Sequence, residues 1–174
     1  MSRIAFAFDL HDTVVYSSEA WLAAYMEQIT AEHRAVEKKE CVSLLLRGKI
    51  SRSLVSSIFG LDHDVVEEAY RCNLNMNTKM LTLIQTLKDA GFKTILISNA
   101  KSKRVMDDIK SLGIEKLFSV IYTKENGRKP YFDYIDSIIR ENELDLLVMI
   151  GNGQEDIFHH PKVLNFQLFE ENVE

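Results

Sequence analysis

The sequence is poor in cysteine and has no long hydrophobic segment. Its two cysteines, Cys41 and Cys72, are too few for a disulfide framework and are not spaced as metal ligands. No apolar run reaches the roughly 20 residues of a membrane-spanning helix. The first eight residues contain one basic residue and are followed by Asp9, too early for a signal peptide. We therefore expect a cytoplasmic protein with reduced thiols.

The sequence also lacks an excess of positive charge. The formal net charge is -5 at pH 7, so no overall field attracts nucleic acid or anionic lipid. We expect neither a nucleic-acid polymer nor a membrane as a partner. A small anionic ligand is repelled by the overall charge and needs local hydrogen-bond donors. The length of 174 residues fits one domain with a small insertion.

Strand-like and helix-like segments alternate along most of the chain. The first apolar run, residues 4–8, is typical of a buried parallel strand. Further elements are predicted as helices at 77–90, 101–112 and 131–141 and as strands at 94–97, 119–123, 146–150 and 163–168. This alternation predicts an α/β protein with a Rossmann-like, three-layer α/β/α arrangement around a parallel sheet.

A helical block interrupts this alternation after the first strand. Residues 18–33 have an apolar helical face, and Ser17 or Ser18 is expected to cap that helix. The pattern stays helical to about residue 75. We interpret residues 16–75 as a small helical cap inserted into an α/β core formed by residues 1–15 and 76–174.

Polar residues follow the predicted strands, or lie in the next loop, at four places. Ligands bind beyond the carboxyl ends of the strands in open α/β sheets. The segments are residues 9–13, 98–99, 127–130 and 151–156. Each alone is explained as an ordinary turn or helix cap. All four in this order predict one shared site.

These segments resemble the motifs of the haloacid dehalogenase superfamily. Residues 8–15, Phe-Asp-Leu-His-Asp-Thr-Val-Val, are similar to its first motif, a hydrophobic strand followed by D-x-D-G-T. Residues 95–99 resemble the second motif, a strand that ends in Ser or Thr and often Asn. Lys129-Pro130 resembles the lysine motif of the phosphoglycolate-phosphatase-like branch, and residues 151–156 resemble G-D-x-x-x-D. The helical insertion lies where that family has its C1-type cap.

The resemblance implies a phosphatase that uses Mg²⁺ and acts on a small phosphorylated metabolite or nucleotide through an aspartyl phosphate. A carboxylate nucleophile splits one displacement into two, and a hydroxyl and an ammonium group position the transferred oxygens. The implied catalytic residues are Asp9, His11, Ser98 and Lys129. The implied substrate-binding residues are Thr13, Ser98, Asn99 and Lys129. The implied Mg²⁺ ligands are Asp9, the backbone carbonyl of His11, Asn152 and Asp156.

Two residues depart from the family pattern. His11 replaces the aspartate that serves as acid and base, and Asn152 replaces the first aspartate of the fourth motif. The imidazole either takes over proton transfer, or it fills the loop and hydrogen-bonds a cap residue. Asn152 retains a carbonyl ligand but removes one negative charge, so metal affinity should fall. Asp12, at the usual glycine position, lends its carboxylate only if the loop is rearranged.

Two functions are therefore open. The first is a slow phosphatase that acts through Asp9. The second is a catalytically inactive relative that binds a phosphorylated ligand or a protein partner. A dehalogenase is a third possibility, but the His11 and Asp12 pair gives it no support.

Overall fold

The computed structural model describes residues 3–29, 40–41, 43–45 and 50–168. The chain divides into two compact units, one formed by residues 1–15 and 76–174 and the other by residues 16–75. Residues 30–39, 42 and 46–49 of the predicted insertion lie outside the described residues, as does the end of the helix predicted at 18–33. The role of residues 16–75 as a cap stays a prediction.

A parallel sheet forms the centre of the first unit. Its described strands are β1 (Ile4–Phe8), β2 (Lys93–Ile97), β3 (Val120–Tyr122), β4 (Leu146–Gly151) and β5 (Val163–Gln167). They lie in the order β3-β2-β1-β4-β5, and every neighbouring pair is parallel. This order is that of a Rossmann-like sheet. The predicted α/β fold class is confirmed.

In the first unit, the described helices between the strands are α4 (Thr78–Asp89), α5 (Ser102–Ser111) and α6 (Phe132–Glu141). The second unit contains α1 (Ser17–Gln28), α2 (Arg52–Phe59) and α3 (His63–Asn73) among its described residues. Short 3-10 turns lie at Glu115–Leu117 and Gln154–Asp156. Gly91 and Gly113 follow α4 and α5 with φ angles of 84° and 67°, the left-handed conformation expected at helix ends.

The central strand β1 carries buried side chains on both faces of the sheet. Ala5 and Ala7 of β1 share a hydrophobic cluster with Ile135 and Ile138 of α6. Phe8, which points to the opposite face because side chains alternate along a strand, is also fully buried. A parallel sheet covered on both faces explains the almost continuous apolar run of β1.

The start of α1 differs from our expectation. Neither Ser17 nor Ser18 caps it: Tyr16 occupies the capping position without a side-chain hydrogen bond, and Ser17 is the first helical residue. The backbone N–H of Tyr16 donates to the carbonyl of Asn75, 2.9 Å away, which fixes the chain just before the helix. The predicted serine cap was wrong because a backbone contact across the unit sets the boundary.

The unit of residues 16–75 has its own aromatic packing. The ring of Trp21 in α1 stacks on Tyr70 of α3 with a centroid separation of 4.1 Å. The Arg52 guanidinium of α2 lies 4.5 Å from the Trp21 ring centroid. A cation and two aromatic rings therefore join α1, α2 and α3.

The composition predicted neither a disulfide framework nor a membrane-spanning helix, and the structure bears on both predictions. Cys41 and Cys72 form no disulfide. Within the described ranges, no helix combines the length and apolar character needed to cross a membrane. The cytoplasmic location stays a prediction.

Candidate active site

The loop after β1 places Asp9 at the carboxyl edge of the sheet. The backbone N–H of Asp9 donates to the carbonyl of Ile150 in β4 at 2.9 Å, which extends the strand pairing by one residue. The chain then turns back, because the N–H of Asp12 donates to the Val15 carbonyl at 2.7 Å. Asp12 has a φ of 61°, a left-handed conformation that glycine adopts freely and aspartate tolerates. A glycine-type turn therefore forms here with aspartate in it.

Three charged side chains meet beyond the ends of β1 and β4. The Lys129 ammonium donates to Oδ1 of Asp9 at 2.5 Å and also to Oδ1 of Asp156. Lys129 is 2% exposed, Asp156 3% and Asp9 8%. We call these residues the buried triad. One cation between two carboxylates satisfies charges that would be very unfavourable if buried alone.

Burial and mutual attraction set the protonation of the buried triad. Burial raises the pKa of the Asp9 carboxyl above its ordinary value, although the Lys129 ammonium opposes this rise. Burial alone would lower the pKa of Lys129, but the Asp9 and Asp156 carboxylates outweigh it and raise that pKa. Lys129 therefore stays charged. The net negative charge of the triad favours a proton, or another cation, beside Asp9.

Neighbouring groups hold Lys129 and Asp156 in place. The Asn99 side chain accepts from the Lys129 backbone N–H at 2.8 Å and donates to the Lys129 carbonyl at 3.3 Å. Oδ2 of Asp156 accepts from the Gly153 N–H at 2.9 Å. A Cβ on Gly151 would lie 2.2 Å from that same oxygen, so the glycine makes room for the carboxylate. Asn99 positions Lys129; its contact with substrate stays a prediction.

Ser98, Thr13 and Asn152 line the same edge. Ser98 is 2% exposed, and its hydroxyl oxygen accepts from the Ala100 N–H at 3.2 Å. That bond uses an oxygen lone pair, so the hydroxyl proton can still be donated. Thr13 is buried, and its hydroxyl donates to Oδ1 of Asn152 at 3.2 Å. Thr13 was predicted to bind substrate and Asn152 to bind the metal ion, and the two side chains contact each other directly.

His11 contacts a residue of the first unit. Its Nε2 lies 3.0 Å from Oδ2 of Asp108 in α5, 97 residues along the chain. Asp108 is 1% exposed. The buried carboxylate of Asp108 therefore holds the His11 ring against α5, and a hydrogen bond from His11 to a cap residue stays a prediction. The ring also lies close enough to Asp9 for its positive form to oppose, after Lys129, the rise in the Asp9 pKa.

Two residues of the site did not figure in our predicted set. Asp108 lies on the buried face of α5 with Val105 and Ile109, where the helical period predicts an apolar side chain. The sequence therefore contains a signal for Asp108, namely an acidic residue at a helical position where an apolar residue is expected. Asn77 caps α4 by accepting from the Met80 N–H, and its side-chain amide donates to the Thr13 carbonyl at 3.1 Å. No local pattern indicates that second contact.

Several known proteins similar to this chain are described as phosphatases or hydrolases. A phosphoserine phosphatase from Polaromonas sp. (strain JS666 / ATCC BAA-500) is 29% identical over 129 residues, 69% of this chain. The chain spans about half the length of that relative, 49%. A hydrolase from Streptococcus pneumoniae TIGR4 has a TM-score of 0.70 at 16% identity, covering 98% of this chain and 95% of its own.

A second solved structure has the same fold. It is described as a predicted phosphoglycolate phosphatase from Haemophilus somnus 129PT, with a TM-score of 0.63, 16% identity, and coverage of 95% of this chain and 85% of its own. The sequence profile of haloacid dehalogenase-like hydrolases matches residues 6–159, which include the end of β1 and all four motif segments. The resemblance inferred from the motifs is thereby confirmed, and the chain belongs to the haloacid dehalogenase-like hydrolase family.

Proposed function

We propose that this protein is a phosphatase of small phosphate monoesters and that Asp9 is its nucleophile. The observation that carries the proposal is the buried triad, in which Lys129 lies 2.5 Å from the Asp9 carboxylate at the carboxyl edge of the sheet. A carboxylate held beside a buried cation can approach a phosphoryl dianion with less repulsion. The name of the Polaromonas relative, a phosphoserine phosphatase, supports the reaction class.

The proposed reaction has two displacements at phosphorus. In the first, an Asp9 oxygen bonds to phosphorus, the bond from phosphorus to the ester oxygen breaks, and the alcohol leaves with a proton from His11. In the second, water attacks the aspartyl phosphate and gives a proton to His11. The bond from phosphorus to Asp9 breaks, which releases inorganic phosphate and restores the carboxylate. Lys129 and the Ser98 hydroxyl hold the transferred oxygens.

The donor atoms at the site fit Mg²⁺. Asp9, Asn152 and Asp156 follow the neighbouring strands β1 and β4 and carry the hard oxygens that this ion prefers. Among the described residues, no three His, Cys, Asp or Glu side chains are grouped as metal ligands, so the two carboxylates need the Asn152 amide and the His11 carbonyl as further donors. A bound magnesium ion would neutralise charge between nucleophile and phosphate. With only two acidic ligands, we expect weak binding.

The substrate we propose is a small phosphorylated metabolite or nucleotide. The described donors at the site, Lys129 and Ser98, suit one phosphoryl group. The formal net charge of -5 gives no field to collect a polyanionic polymer.

The test is phosphate release from a panel of small esters that includes phosphoserine and phosphoglycolate, with Mg²⁺ present. We expect measurable release by the wild type and at least a hundredfold less by Asp9→Asn, because the amide cannot act as the nucleophile. Asp107→Asn, an exposed carboxylate on α5, is the matched control and should keep full activity.

A folded wild type that releases no phosphate from any ester would overturn this proposal. Binding of a phosphate ester without turnover would then favour the second function, an inactive relative that holds a phosphorylated ligand. The substitutions at His11 and Asn152 are the observation behind that alternative.

A further inference from the structure

We infer that Asp108 is a positioning residue for proton transfer, since it fixes the ring of His11. The inference rests on the proposed phosphatase function and adds a residue that the motifs do not contain. Its basis is the 3.0 Å contact between Nε2 of His11 and Oδ2 of Asp108. Asp108 reaches the site from α5, whereas the motif segments lie at strand ends and in loops.

Asp108 occupies a position where the fold alone does not favour an aspartate. It lies in the middle of α5, on the same buried face as Val105 and Ile109, and aspartate is a weak helix former. A buried carboxylate is unfavourable unless charged or hydrogen-bonding partners surround it. His11 supplies such a partner. The carboxylate therefore has a purpose beyond packing that an apolar residue at this position would not serve.

The contact decides which ring nitrogen takes part in chemistry. A carboxylate accepts hydrogen bonds, so Nε2 of His11 must carry a proton to donate to it. The neutral ring then has its lone pair on Nδ1, which becomes the nitrogen that exchanges protons with the leaving group and with water. A carboxylate that holds a histidine in one tautomer and one orientation has this effect in other enzymes.

A purely structural role for Asp108 makes a different prediction. Nε of Arg104, one turn earlier on α5, lies 3.7 Å from the same Oδ2. If Asp108 serves only to neutralise the charge of that guanidinium, its loss should lower the stability of α5. The rates of all steps should then fall together, because less of the protein is folded. If Asp108 acts through His11, only steps that need proton transfer should change.

The experiment uses 4-nitrophenyl phosphate with Mg²⁺, because nitrophenolate leaves without protonation. Formation of the aspartyl phosphate then needs no acid, while its hydrolysis still needs the His11 base. In Asp108→Asn we expect the steady-state rate to fall about 10- to 100-fold, while the initial burst stays near one nitrophenolate per enzyme. Asp107→Asn, exposed on the same helix, should change neither quantity.

A double-mutant cycle tests whether Asp108 acts through His11. In the His11→Ala background, adding Asp108→Asn should change the steady-state rate less than about twofold, because residues that act as one unit are not additive. An equal loss in both backgrounds overturns the inference. A burst that falls together with the steady-state rate also overturns it.

One measurement needs no variant. Nitrogen NMR of the wild type should show a proton on Nε2 of His11, and an unprotonated Nε2 overturns the inference even if Asp108→Asn fails to fold. An active wild type with an unchanged Asp108→Asn overturns this inference alone. A wild type without any phosphate release overturns the proposed function and this inference together.

Discussion

Two parts of the candidate site differ in the charges that they retain and in how deeply their side chains are buried. In the buried triad, Lys129 bonds both Asp9 and Asp156, and the three residues are at most 8% exposed. The substituted pair, His11 and Asn152, is only half-buried, and each member bonds a residue outside the triad, Asp108 for His11 and Thr13 for Asn152. The triad keeps the charges of the family motifs, while the pair has lost two aspartates.

The difference shows where this fold tolerates changes of charge. Removing one member of a buried ion network leaves an uncompensated charge with no access to water, which is strongly destabilising. A half-buried position can replace part of the lost interaction with solvent or a neighbouring hydrogen bond. We infer that the substitutions at His11 and Asn152 were possible because those positions are accessible and have partners.

The largest effect should follow from breaking the triad at its cation. Lys129→Met leaves two carboxylates buried together, and we expect a loss of about 3–5 kcal/mol in the free energy of unfolding, measured by urea denaturation. Lys124→Met removes an exposed lysine of the same loop and should stay within about 0.5 kcal/mol of the wild type.

The double variant Lys129→Met/Asp9→Asn gives the control for charge. It removes one of the two repelling carboxylates and should recover part of the lost stability. If the double variant is less stable than Lys129→Met, the packing of the lysine stem, and not its charge, accounts for the loss.

A smaller effect is expected from restoring charge to the substituted pair. Asn152→Asp adds a carboxylate at a proposed Mg²⁺ ligand, and we expect the Kd for Mg²⁺ to fall about tenfold, since affinity follows the number of charged ligands. Isothermal titration calorimetry measures this directly. Gln154→Glu adds the same charge at an exposed position of the same loop and should change Kd much less. Equal effects of the two substitutions would remove Asn152 from the proposed ligand set.

The sequence was most informative where local pattern and chemistry coincide. The runs at β1 and β4 predicted buried parallel strands. The polar residues after them predicted one shared site, and Asp9 and Asp156 both contact Lys129 there. The sequence could not identify the partner of His11, because the contact joins residues 97 positions apart and no short-range period encodes it. The prediction of where α1 begins failed for the same reason, since a backbone hydrogen bond from Tyr16 to Asn75 sets that boundary. Asn99 was recognised by its motif, but its position against Lys129 depends on how two loops pack.

The smallest effect concerns the stability of the triad with pH. Because burial raises the pKa of folded Asp9 above its ordinary value of 3.8, the folded state holds that proton to higher pH than the unfolded state. This contribution to stability is fully present below pH 3.8 and is lost as pH rises through the folded pKa. Asp9→Asn has no such titration and mimics the protonated form, so its Tm relative to the wild type should rise with pH across this window. Thermal unfolding followed by circular dichroism, with Asp107→Asn as the exposed control, measures the difference. A Tm difference that stays constant with pH would mean that folding leaves the Asp9 pKa unchanged. The buried triad would then favour the charged form of the Asp9 carboxyl as strongly as water does.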